Sequence, residues 1–197
     1  MEFSVTRLKD VLSNRPVVEE RDNGEYMPAA VMVLVYEKDS QFCVLLNQRS
    51  QLVEHHKGEM SFPGGAKDPD DGVFINTALR ETEEEMGIKV QDITVLGQLD
   101  DTITRSNFVV KVFVGTIDYP YDFNPSDIEI AEVVEIPIGE LLSPENQYTE
   151  TRWDGVSSVD ATSYGYGKYL IYGATATILS QFLEVVSNNF NMEAHVN

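Results

Sequence analysis

Within ALRETEEEMG, Ala78 to Gly87, the glutamates Glu81, Glu83, Glu84 and Glu85 crowd into a window whose apolar spacing predicts a helix. At about 100° per residue, Glu81, Glu84 and Glu85 fall within roughly 100° of one another, and Glu83 points nearly opposite. Like charges at these spacings destabilise an isolated helix by about 0.2–0.5 kcal/mol per pair. Glu84 and Glu85 add to that cost by sitting at the negative end of the helix dipole, just before the Gly87 stop. Arg80 can bridge to Glu84 at i,i+4, yet one cation does not balance the cluster, and Lys89 arrives beyond the last turn. Such a face is either solvated or occupied by something cationic. Ala78, Leu79, Thr82 and Met86 form a narrow apolar stripe beside the acids, which puts them near the packed side. A hard divalent cation such as Mg²⁺ takes oxygen ligands, commonly leaves room for substrate phosphates and would account for the repulsion.

The chain around this helix has 197 residues, 42% of them hydrophobic, enough for one substantial core. Residues 1–24 read as an N-terminal helix and connector: Phe3, Val5, Leu8, Val11 and Leu12 have helical spacing and Pro16 ends it. Residues 25–187 read as the main domain and 188–197 as a flexible tail. AAVMVLVYE and QFCVLLNQR flank the turn KDSQ and predict a hairpin. SQLVEHHKGEMSFPGGAKDPDDG follows as a long irregular loop, and the acidic helix is expected to start at a cap on Asn76 or Thr77. DITVLGQLD and NFVVKVFVGTID read as strands, EIAEVVEIPIGELL as a strand entering a short helix after Pro137, and SYGYGKYLIYG as a turn and final strand. ATATILSQFLEVV closes the chain as a helix packed by Ile178, Phe182 and Val186.

Fourteen basic against thirty-three acidic residues give a net charge of -19, which argues against nucleic acid or an anionic membrane as partner. The single cysteine, Cys43, lies in the apolar run FCVLL and suits a small buried hydrophobe in a reducing compartment. MEFSVTRLKDVLSN lacks the continuous apolar core of a secretory signal, so a cytoplasmic location is expected.

Gly65 followed by ALRETEEEMGI resembles the Nudix box, with its core R-E-hydrophobic-x-E-E-x-G-hydrophobic: Arg80, Glu81, Glu84, Glu85, Gly87 and Ile88 match, and Thr82 takes the hydrophobic slot. Fourteen residues separate Gly65 from Arg80, one more than in the general box, and the box's upstream glutamate is represented by Asp70 or Asp71. LLNQRSQLVEHHKGEMSFPGG, Leu45 to Gly65, resembles the additional motif of coenzyme A pyrophosphatases, with Glu54 where that family usually has an arginine. The resemblance implies an α/β Nudix fold, a mixed β-sheet sandwiched between α-helices. It also implies Mg²⁺- or Mn²⁺-dependent hydrolysis of a diphosphate linkage in a small nucleotide substrate. For coenzyme A the products would be adenosine 3′,5′-bisphosphate and 4′-phosphopantetheine.

On that resemblance Glu81 and Glu85 are expected to ligate the metal, Glu84 to be a third ligand or a base, and Arg80 to orient Glu84. Gly64 and Gly65 let backbone approach the metal site, and Arg49 either contacts substrate phosphate or forms a surface salt bridge. Glu129, and beside it Glu132, are candidates for a further acidic ligand or base from a later loop. His55 and His56 read as loop surface, Asp68, Asp70 and Asp71 as a polar turn around Pro69, and Tyr164, Tyr166, Tyr169 and Tyr172 as strand packing. Two rivals stay open: hydrolysis of another nucleoside diphosphate derivative such as ADP-ribose, NADH or a dinucleoside polyphosphate, and a non-catalytic nucleotide-sensing module. Retention of Glu81, Glu84, Glu85 and Arg80 argues against the second. A homodimer is also open.

Overall fold

A computed structural model of the chain describes residues 3–20, 24–153 and 158–191. Helix α1 (Val5–Asn14) starts at Ser4, whose hydroxyl accepts from the Arg7 amide at 3.3 Å, and buries Leu8 and Leu12. Strands β1 (Met27–Lys38) and β2 (Gln41–Arg49) form the expected hairpin, paired antiparallel from Leu34 opposite Leu45 to Lys38 opposite Gln41. Asp39 and Ser40 take φ of 51° and 62°, the two left-handed residues of a turn whose twist matches the strands it joins.

Past Leu34, counting back toward the start of β1, the two strands part, and the segment expected to be irregular fills the fork. β3 (Met60–Ser61) pairs with β2, setting Ser61 opposite Asn47, while β4 (Gly64–Ala66) pairs with β1, setting Gly65 opposite Ala30. The expectation of an irregular loop is thus corrected over these residues, because the backbone edges exposed by the fork need partners.

Helix α2 (Phe74–Met86) follows, then β5 (Thr94–Gln98), β6 (Thr102–Ile103), β7 (Phe108–Thr116) and β8 (Ile130–Pro137). The sheet runs β3-β2-β1-β7-β5, with β4 also on β1, β6 on β7 and β8 on β2. β1 and β7 are parallel and the other pairs antiparallel, so the sheet is mixed. Short α3 (Ile138–Leu142) starts directly after Pro137, as read. A second, three-stranded sheet of β9 (Gln147–Trp153), β10 (Ser158–Tyr166) and β11 (Tyr169–Ile171) precedes α4 (Gly173–Asn189).

The main sheet is covered on both faces. Ala30, Met32, Leu34, Cys43 and Leu45 pack with Ala78, Met86 and Ile88 of the α2 region. Val33, Val35, Val44, Leu46, Val112 and Val114 pack with Leu8 and Leu12 of α1 and with Ile178, Phe182 and Val186 of α4. Burial on both faces is why β1 reads as an unbroken apolar run. The expected flexible tail is corrected at its start: α4 continues to Asn189, and Phe190 is buried with its ring 4.8 Å from Phe3. Residues 192–197 of that tail lie outside the described residues. No helix among the described residues is long and apolar enough to cross a membrane.

Candidate active site

Helix α2 starts at Phe74, earlier than expected, with Val73 as its cap residue and no side-chain capping bond. Asn76 and Thr77 instead fasten the helix to the preceding turn: the Asn76 amide donates to the Asp71 carbonyl at 2.8 Å and the Thr77 hydroxyl to Asp71 Oδ2 at 2.8 Å. At the other end Gly87 takes φ 69°, and its N–H donates to the Glu83 carbonyl at 2.9 Å. The loop before β8 is stapled there too, the Asn124 amide on the Met86 carbonyl at 3.1 Å and the Ser126 amide on the Glu85 carbonyl at 2.9 Å. These bonds satisfy carbonyls that a helix end leaves open. A Cβ at residue 87 would stand 2.6 Å from the Asn124 carbonyl oxygen, so this position needs glycine for contact as well as for conformation.

Between the two ends, Thr82 fills its apolar slot without an orphaned hydroxyl. It is fully buried and donates to the Ala78 carbonyl one turn back at 2.6 Å.

Arg80 organises the outer part of the acidic face. Nε donates to Asp71 Oδ1 at 2.9 Å and Nη2 to Asp71 Oδ2 at 3.1 Å. Nη1 donates to Glu81 Oε1 and to Glu84 Oε2, both at 2.9 Å, and Nη2 reaches the Ala66 carbonyl at 3.2 Å. All five guanidinium donors are engaged, which leaves Arg80 none for a substrate. The arrangement also chooses between the upstream acids: Asp71 is buried beneath Arg80, whereas Asp70 is exposed. The Arg80 hydrogen bonds hold the Asp71 carboxyl well below the usual carboxylate range. The polar turn around Pro69 is therefore the anchor of Arg80 and carries more than turn geometry.

Glu85 faces the fork between β1 and β2. Its Oε2 accepts from the Gly64 N–H at 3.2 Å and from Asn47 Nδ2 at 3.1 Å, while Oε1 stands 3.6 Å from Arg49 Nη1. Only 4% of its side chain is exposed. Burial pushes its carboxyl up to about 7, the nearby Glu81 and Glu129 charges push the same way, and the Gly64 amide and Arg49 oppose them. Glu81, less buried, is also raised by burial first, with Arg80 opposing. The two glycines make the crowding possible. A Cβ on Gly65 would lie 2.5 Å from the Glu81 carboxylate, and one on Gly64 2.4 Å from the Ala30 carbonyl oxygen.

The candidates from other segments separate. Glu129 is exposed on the loop stapled to α2, its carbonyl accepting from the Ser50 amide at 2.7 Å, and its charge acts on both Glu81 and Glu85. Glu132 shares the parity of Val134 and Ile136, which pack in the core on the α4 side, and its carboxylate pairs with Lys168 at 2.9 Å. Arg49 sits beside Glu85 with its Nε buried and without a hydrogen-bond partner among the described residues. His55 and Glu54 are exposed, and His56 pairs with Glu59 at 3.0 Å. Tyr164 is buried with its hydroxyl 2.8 Å from Ser180 Oγ, and Tyr166 and Tyr169 pack against the same core, whereas Tyr172 is exposed.

The donor chemistry fits a hard divalent cation: Glu81, Glu84 and Glu85 offer only carboxylate oxygens, in a setting with more anionic charge than its arginines offset. Among the described residues no three acidic, histidine or cysteine side chains converge as a ready-made metal cage. Glu81 and Glu84 are turned to Arg80, and Glu85 to Gly64 and Asn47.

The NUDIX domain pattern matches residues 26–154. The chain belongs to the Nudix family. It is 33% identical over 166 residues to an uncharacterized Nudix hydrolase, NudL, of Photorhabdus laumondii, across 84% of this chain and 87% of that one. A NudL of Yersinia pestis is 36% identical over 145 residues, 73% of this chain and 72% of the relative. Among solved structures, a MutT/nudix family protein from Enterococcus faecalis aligns with TM-score 0.56 at 20% identity, over 98% of this chain and 73% of that one, and shares the fold. The protein is a Nudix hydrolase, an enzyme of the pyrophosphohydrolase class, in a family that acts on small nucleotide substrates and generally uses divalent metal ions. Two residues at this Nudix site escaped the sequence reading, Asn47 and Ser61. Their trace in the sequence is a primary amide inside the apolar run FCVLLNQ, where a strand buried on both faces has little reason to hold one.

Proposed function

We propose that this Nudix hydrolase cleaves the diphosphate linkage of coenzyme A or its derivatives, with Mg²⁺ or Mn²⁺, to adenosine 3′,5′-bisphosphate and 4′-phosphopantetheine. The observation that carries the hydrolytic part is the buried Glu85 one turn from Glu81, both against the Gly64-Gly65 backbone. The coenzyme A assignment is supported by the Leu45 to Gly65 motif. Glu81 and Glu85, with Glu84 as third donor, would hold the cation. When bound, it supplies charge neutralisation at the diphosphate and a lowered pKa for an attacking water. The chain's own residues do the rest. Arg80 fixes the carboxylates of Glu81 and Glu84 from behind, anchored on Asp71. Glu84, half-exposed and one hydrogen bond from Arg80, and Glu129, exposed on the loop fastened to the helix end, are the two candidates for accepting a proton from water. Arg49, beside Glu85 with its side chain partly exposed, is the cation this reading assigns to substrate phosphate.

A second substrate reading is favoured by one observation: Glu54, where an arginine is usual in the coenzyme A family, is exposed on the loop after β2 and stands 4.0 Å from His55. Loss of that cation suits a substrate with fewer phosphates, such as ADP-ribose or NADH. The test is a product analysis with Mg²⁺ on coenzyme A, ADP-ribose, NADH and dinucleoside polyphosphates. Coenzyme A is expected to turn over fastest, releasing adenosine 3′,5′-bisphosphate. Negligible relative turnover of coenzyme A rejects the narrower assignment in favour of whichever compound leads.

A further inference from the structure

A buried carboxylate such as Glu85 is preset as a one-oxygen ion ligand when its other oxygen is held inward by hydrogen bonds. We propose that Asn47 is the positioning residue that imposes this on Glu85, itself set by Ser61, in a hydrogen-bond chain running Ser61–Asn47–Glu85. The inference rests on the assignment of Glu85 as a ligand and adds what holds it in place.

The geometry has three parts. First, Asn47 is fully buried and shares a face of β2 with Cys43 and Leu45, which pack under α2, so its amide has been placed where only specific partners can satisfy it. Second, both ends of that amide are matched. The ionised Glu85 Oε2 is acceptor-only and takes Nδ2 at 3.1 Å, which leaves Asn47 Oδ1 to accept from the Ser61 hydroxyl at 2.5 Å. Ser61 can do this because the β2–β3 register sets it directly opposite Asn47. Third, the Gly64 N–H meets the same Oε2 at 3.2 Å from the other side of the fork. Two donors from two strands therefore clamp Oε2, while the partner of Oε1 among the described residues is Arg49 Nη1 at 3.6 Å, beyond hydrogen-bond length. The side chain is split into a fixed inner oxygen and an available outer one. Outer partners of this kind orient metal ligands and tune their affinity in general.

The test measures Mn²⁺ binding to the full-length protein without substrate, from the electron paramagnetic resonance signal of free Mn²⁺, together with thermal unfolding without metal. The variants are Glu85→Gln, Asn47→Leu, Ser61→Ala and the double change of Asn47→Leu with Glu85→Gln. Glu85→Gln is expected to weaken Mn²⁺ binding most, Asn47→Leu by about 10–100-fold and Ser61→Ala by less. In the Glu85→Gln background, Asn47→Leu is expected to change affinity by no more than about two-fold, because its route to the ion has been removed. Wild-type affinity in Asn47→Leu, or an equal loss with and without Glu85, overturns the proposal and leaves Asn47 a packing residue. Wild-type affinity in Glu85→Gln overturns the ligand assignment beneath it as well. Should Asn47→Leu fail to fold, Ser61→Ala alone and with Glu85→Gln makes the same cycle: a loss that vanishes without Glu85 supports the chain, and an additive loss rejects it.

Discussion

Glu81 and Glu85 stand one turn apart on the same helix face, yet their negative charge is managed by opposite means. At the Arg80 end a single guanidinium, itself anchored on Asp71, engages Glu81 and Glu84, and the Glu84 side chain remains 56% exposed. At the Glu85 end the carboxylate is withdrawn from water and met by two neutral donors, Asn47 and the Gly64 amide, with Arg49 at 3.6 Å. Burial raises the proton affinity of both carboxyls, and the opposition differs: the Arg80 guanidinium works against it at Glu81, the Gly64 amide and the more distant Arg49 at Glu85. The difference shows that the crowded helix is not uniformly compensated: its outer half is paired with Arg80, whereas its inner half faces neutral donors and, among the described residues, an arginine only at 3.6 Å.

The largest expected break in that contrast is Glu85→Gln. Removing the inner charge should cut metal-dependent turnover by at least about 100-fold. Stability should move the other way, because glutamine can still accept from Asn47 and Gly64 without being charged. The sign follows from linkage. Glu85 ionises near 7 when folded against an ordinary 4.5, so between these values the folded state holds a proton that the unfolded state has lost, and stability falls as pH rises through that window. For a shift of this size the metal-free protein should lose about 3 kcal/mol between pH 4.5 and about pH 7 from this residue. Chemical unfolding at a series of pH values, wild type against Glu85→Gln, checks it: the variant should show a flatter profile and be the more stable protein at pH 8. An identical slope in both would mean that the inner carboxylate is not desolvated.

A smaller effect is expected at the outer end. Asp71→Asn leaves Arg80 without its anionic anchor, so the guanidinium is free to collapse onto Glu81 and Glu84. The melting temperature should fall by several degrees and turnover by about 10-fold. Here the pH sign is reversed. Asp71 is held below its ordinary 3.8, so its contribution is present above that value and disappears as pH falls through the depressed pKa. Thermal unfolding between pH 2 and 6 should therefore show the variant converging on the wild type at the acid end.

Which parts were readable from the chain follows from how local each interaction is. The acidic helix, the Arg80–Glu84 bridge and the β1–β2 hairpin depend on spacings of a few residues, and the sequence pattern contains them. The start of α2 was misplaced because Asn76 and Thr77 look like caps but are used to hold Asp71, a contact that needs the turn around Pro69 to fold back. Asn47 and Ser61 become partners only through the fork in the sheet, which no local period announces. Glu129 and Glu132 look equivalent in sequence, and the start of β8 at Ile130 separates them: Glu129 stays on the loop stapled to α2, while Glu132 lies in the strand and meets Lys168. β9, QYTETRW, has a polar alternation with almost no apolar face, so it carried no strand signal.

The smallest expected effect is the sharpest control on an electrostatic account. Thr82 lies between Glu81 and Glu85 in sequence but inside the packing, with its hydroxyl bonded to the Ala78 carbonyl. Thr82→Val keeps the branched shape, removes a buried hydroxyl together with its bond, and leaves every charge in place. That carbonyl is already in the helix ladder, so losing the back-bond strands no partner. The melting temperature should shift by no more than about 3 °C, and turnover should stay within about two-fold of wild type, since burial first and then the neighbouring charges set the proton affinities of Glu81 and Glu85, and the change keeps both. A loss of turnover as deep as that of Asp71→Asn would mean that packing beneath the helix, rather than Arg80 on one side and Asn47 on the other, decides where the two carboxylates point.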